Sequence, residues 1–98
     1  MTTTHPFELH AHGAGGFISF DRRSAETMAL PLLALNKAMY RERGTRAEIV
    51  LDFDSNQVIL SGAGLSSLLE HLLAGRVKTI REGSFESCVV DGIQIVDC

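Results

Sequence analysis

The sequence predicts an α+β domain, a two-layer antiparallel sheet carrying two helices on one face. Three observations predict it. Leu65, Leu68, Leu69, Leu72 and Leu73 fall on one helical stripe. Met28, Leu32, Leu35 and Met39 recur at the spacing of a second helix. Between them, Ala47, Ile49, Leu51 and Phe53 alternate with Glu48, Val50 and Asp52, as a strand with one buried face does.

Taken in order, Phe7–Ala11 is a weak strand signal and Phe17–Phe20 a stronger one, entered from the glycines at 13, 15 and 16. The first helix is expected from about Met28 to Arg43. Ser24–Thr27 forms its lead-in, and Pro31 lies near enough to the N-terminus to be tolerated. Gly44 provides its left-handed stop, with Arg41 and Arg43 favourable to the dipole. The strand at 47–53 turns at Asp54-Ser55-Asn56 and returns over Gln57–Ser61. The leucine helix follows and closes at Gly75; Val77–Glu82 is the next strand. A C-terminal hairpin pairs Phe85–Val90 with Ile93–Asp97 across Asp91-Gly92, a dipeptide suited to a two-residue turn.

From Phe17 to Glu82 this is the βαββαβ order of the ferredoxin-like arrangement, with the hairpin appended. The alternative is another two-layer α+β sheet with its strands in a different order. Residues 1–98 read as one domain, in which 1–16 form a tail, an edge strand or an exchanged arm. With two helices on one face, Val50, Ile59 and Val77 or Ile80 are left to present apolar atoms on the other. A two-fold dimer is the expected cover.

Composition narrows the function classes. Leu, Ile, Val and Phe contribute 29 of 98 residues, too many for a disordered chain. Two cysteines, Cys88 and Cys98, do not make a disulfide framework. No apolar run reaches the length of a membrane span, and the first ten residues lack the pattern of a signal peptide, so a cytoplasmic location is expected. A net charge of −3, four acids and no base after Arg81, and no aromatic on Gln57–Ser61 argue against nucleic acid.

Two sites stand out by chemistry. Ser61, Gly62, Ala63, Gly64 and Ser66 lie between a strand and a helix, where free N–H groups and small residues can hold an anion. The P-loop lysine and the third glycine of a dinucleotide loop are both missing, and a tight strand-to-helix connection accounts for the same residues. His10 and His12, two apart on a strand, project from one face and make half of a metal site, with His5 a third ligand; ordinary surface histidines are the plainer reading. Asp52-Phe53-Asp54-Ser55-Asn56 opens like a calcium loop but has Gln57 and Ala63 where that loop needs glycine and glutamate. Cys88 is expected on a buried face, where its thiol pKa rises.

The functional expectation is a non-enzymatic, oligomeric domain that needs no cofactor and binds a protein partner or a small molecule. The alternatives are an anion-sensing regulator and a small enzyme whose site forms between subunits from His10, His12 or His71 with Asp52 or Asp54.

Overall fold

The computed structural model describes residues 7–9, 16–22, 25–75, 77–85 and 88–97. The chain order is β1 (Phe7–Leu9), β2 (Phe17–Asp21), β3 (Met28–Pro31), a 3-10 turn (Leu32–Ala34), β4 (Leu35–Arg43), β5 (Arg46–Phe53), β6 (Asn56–Ala63), α1 (Ser66–Leu73), β7 (Val77–Arg81), β8 (Gly83–Phe85) and β9 (Cys88–Asp97). Among the described residues nine strands build two sheets, in the orders β1-β7-β2-β3 and β4-β5-β6-β9-β8. The two-helix, ferredoxin-like α+β expectation is therefore overturned: the protein is mainly β, with one α-helix among the described residues.

The five-stranded sheet is antiparallel throughout. In the four-stranded sheet β7 pairs parallel with β2 and antiparallel with β1. The inner faces meet in one cluster that includes Ile18 and Phe20 from the smaller sheet and Ile49, Leu51, Phe53, Val58 and Leu60 from the larger. Alternate residues of β5 and β6 enter this core, as strand geometry requires. Burying each such aliphatic side chain contributes about 1.5–3 kcal/mol.

The expected helix from Met28 to Arg43 is instead β3, the 3-10 turn and β4. Pro31 sits at the end of β3, an edge strand, where its missing N–H costs no central ladder bond. A bulge in β4 then disguises the strand. Leu35 faces Phe53 and Ala38 faces Leu51, with the register shifting between Leu35 and Lys37. Two residues three apart thus share the inward face, which imitates helical spacing. Gly44 is positive in φ, as expected, but serves the β4–β5 hairpin rather than a helix end.

The leucine helix is present but shorter. Leu65, Leu68 and Leu72 are buried, Leu69 packs partly against the core, and Leu73 is exposed. Gly75, at φ 70°, closes it and donates its N–H to the Leu72 carbonyl at 3.0 Å. No helix among the described residues is long and apolar enough to cross a membrane.

The expected strands at 47–53, 57–61, 17–20 and 77–82 are present as β5, the longer β6, β2 and β7, which ends at Arg81, and β1 falls within Phe7–Ala11. The C-terminal hairpin does not form. Cys88 to Asp97 is one strand, with β6 on one side and β8 on the other. Val90 pairs with Gly62 and Gly92 with Ser61, so Asp91 is the extra residue of a bulge. Glu82 braces this point by accepting the Ile93 N–H at 3.1 Å.

Candidate functional site

The outward side chains of the larger sheet fall into rows set by strand register. Arg41, Glu48, Ser61 and Gly92 form one; Met39, Val50, Ile59 and Gln94 the next; Lys37, Asp52, Gln57 and Val96 the third. The middle row is apolar across three strands. In it Met39 is 41% exposed and Val50 and Ile59 are half-buried. The rows on either side carry ion pairs, Arg41 with Glu48 and Lys37 with Asp52, each at 3.9 Å. Val50 and Ile59 thus do lie on an outer sheet face, whereas Val77 and Ile80 are core.

At the hairpin end of this face is a cleft of about 220 Å³, lined by Arg41, Arg43, Arg46, Ala47, Glu48 and Ser61. Arg43 pairs in register with Arg46 across the β4–β5 turn, and Arg46 forms an ion pair with Asp91 at the β9 bulge. Expecting Arg41 and Arg43 at a helix terminus concealed this cluster. Read as a strand, alternation puts both on one face, and the turn at Gly44 brings Arg46 beside them.

The five residues marked for anion binding are divided by the fold. Ser61 is half-buried and lines the arginine cleft. Gly62 is buried on the inward face opposite Val90, Ala63 ends β6, Gly64 takes φ 63° in the connection, and Ser66 is exposed at the first position of α1. No side chain caps that helix start.

His10 and His12, the metal candidates, lie outside the described residues, as do His5 and Cys98. Among the described residues, no group of three or more His, Cys, Asp or Glu is placed to hold a metal ion. The aspartates of the enzyme alternative hold the fold's own polar bonds. Asp52 accepts from Gln57 Nε2 at 2.9 Å, and Asp54 accepts from Asn36 Nδ2 at 2.8 Å. Buried Asn56 donates to Asp97 at 3.0 Å and accepts from the Ser55 hydroxyl at 3.0 Å. This turn is tied to β4 and β9 by side-chain amides.

Cys88 is buried and paired in register with Phe85, not with Ile95. Burial pushes its thiol pKa up, as the sequence led us to expect. Cys88 should therefore react with an aromatic disulfide reagent only on unfolding; prompt labelling of Cys88 in the folded protein, located by peptide mapping, would contradict this. The folded state also holds the thiol proton more tightly than the unfolded state does. Its contribution is complete below the unfolded thiol pKa of about 8.5 and is lost as pH rises through the higher folded value.

No protein-family model matches the chain, and no curated protein or solved structure matches it significantly.

Proposed function

We propose that the protein is a non-enzymatic binding domain whose working surface is the outer face of the larger sheet, and that a second copy of the chain occupies it. The supporting observation is that the rows of this face are self-complementary. β4 presents Arg41, Met39 and Lys37; β5 presents, in the same rows, Glu48, Val50 and Asp52. A two-fold axis along the strands between β4 and β5 would set Arg41 over the partner's Glu48, Met39 over the partner's Val50 and Lys37 over the partner's Asp52. These three rows would then find their match, apolar at the centre and oppositely charged on both sides.

Sedimentation velocity across the micromolar range tests this. A dimer is expected for the wild type. Val50→Arg places a charge in the apolar contact, over the partner's Met39 and outside the core, and should give a folded monomer, checked by circular dichroism. High salt should weaken the dimer, because the flanking charges are exposed. A wild type that stays monomeric, or a dimer indifferent to Val50→Arg, would remove this reading.

A further inference from the structure

We infer that the arginine cleft at the hairpin end of the outer face binds a phosphate group, as the free ion or as the head of a small phosphomonoester. Three arginines from adjacent strands line it, Arg41 and Arg43 on β4 and Arg46 on β5, together with Ser61. Against these three charges stand Glu48 in the lining and Asp91 beside it. The cleft thus keeps a positive excess in a chain whose net charge is −3.

The existing ion pairs do not close the cleft to an anion. In both, the side chains are 40% or more exposed, and the Arg41–Glu48 separation is long at 3.9 Å. Exposed pairs of this kind are held by little energy. Arg43 makes no ion pair among the described residues, so none there has to be broken for it to meet an anion. Guanidinium groups match the paired oxygens of phosphate through parallel N–H donors, and several of them along one cleft suit a tetrahedral dianion better than a planar carboxylate.

Size sets the ligand class. At about 220 Å³ the cleft is smaller than the roughly 300 Å³ at which pockets for drug-sized ligands begin. That volume suits a phosphate with a short substituent rather than a wholly enclosed nucleotide. The cleft rests on the same face as the proposed dimer and shares Arg41 and Glu48 with it, but not its apolar row. In that dimer, Arg43 would lie over the partner's Arg46, and a bound anion would offset their repulsion.

The test is isothermal titration of the full chain at low ionic strength with inorganic phosphate and, separately, with methyl phosphate. Saturable binding of one anion per chain is expected. Arg43→Gln should weaken it by about tenfold or more, since a charged hydrogen-bonding partner is removed, and Glu48→Gln should strengthen it. Both sites are solvent-facing, and folding of each variant is checked by circular dichroism. Affinity for methyl phosphate should climb as pH rises through about 6, where the ester becomes a dianion. Tighter binding of the ester would assign the head of a phosphomonoester, and tighter binding of inorganic phosphate the free ion. No saturable binding of either, or binding that Arg43→Gln leaves unchanged, overturns the inference. Sedimentation on the same samples separates the two readings: a monomer that binds phosphate loses only the dimer, and a dimer that does not bind loses only the anion site.

Discussion

Gly62→Ala is expected to destabilise the protein by about 3 kcal/mol, a large share of what a domain this size has to lose. Gly62 lies on the inward face of β6, opposite Ala47 on β5 and Val90 on β9. A Cβ there would fall on the carbonyl oxygen of Val89, 2.8 Å from its carbon and 3.1 Å from the Val90 Cα. These are backbone atoms of a hydrogen-bonded strand, so no rotamer change relieves the overlap. The β9 ladder must move, beside the bulge that Glu82 braces. Gly92→Ala is the control, because its Cβ would meet only the Ser61 Oγ at 3.5 Å, an ordinary contact. It should be neutral or slightly stabilising, since alanine loses less backbone entropy than glycine in a strand. In thermal melts the two substitutions should separate by about 10–20 °C in a chain of this length. Similar melting points would mean that β9 does not pass so close to β6.

The role of Gly62 also shows where sequence reading stopped. Glycines and serines between a strand and a helix suggest an anion loop, and they equally suit a strand that another backbone must approach closely. Only the position of β9 distinguishes the two, and β9 is brought there by pairing across some 30 residues. What was legible was local. Unbroken alternation gave β5, and the 65, 68, 69, 72 spacing gave α1.

What was not legible lay at bulges. In β4, Leu35 and Ala38 share a face across an irregular register, and in β9 Val90 and Ile93 do so across Asp91. In β7, Val77 and Ile80 are both buried while the β1 register shifts beside them. An apolar pair three apart imitates a helix turn, and an Asp-Gly at a bulge imitates a hairpin. The same error hid the arginine cleft, because it forms only if 41 and 43 are two strand positions rather than two points on a helix. Reading the outer face required a pairing partner for each strand, and with those partners the rows of charge and hydrophobe follow directly from the alternation.

The second large effect is expected at the contact between the sheets. Phe20 on β2 and Phe53 on β5 meet edge to face, with ring centroids 6.1 Å apart and planes at 83°. Phe20 is fully buried and Phe53 nearly so. Phe53→Ala removes a ring from the middle of the shared core and should cost about 3–5 kcal/mol, enough to unfold a protein at the low end of ordinary stability. Phe53→Leu keeps most of the volume and should remain folded, so the series stays measurable if the alanine variant does not fold. A double-mutant cycle with Phe20→Leu should show a coupling of about 0.5–1.5 kcal/mol beyond the lost area, the worth of an aromatic pair in this geometry. The larger consequence concerns cooperativity. The chain changes sheets three times, at the 3-10 turn between β3 and β4, through α1 between β6 and β7, and between β7 and β8. Neither sheet has a core without the other, because the buried side chains of both belong to one cluster. Phe53→Leu should therefore lower the hydrogen-exchange protection of Ile18 and Phe20 as much as that of Leu51 and Val58. If protection fell in the larger sheet alone, the two sheets would be separable units, and the single core described here would not be what holds them together.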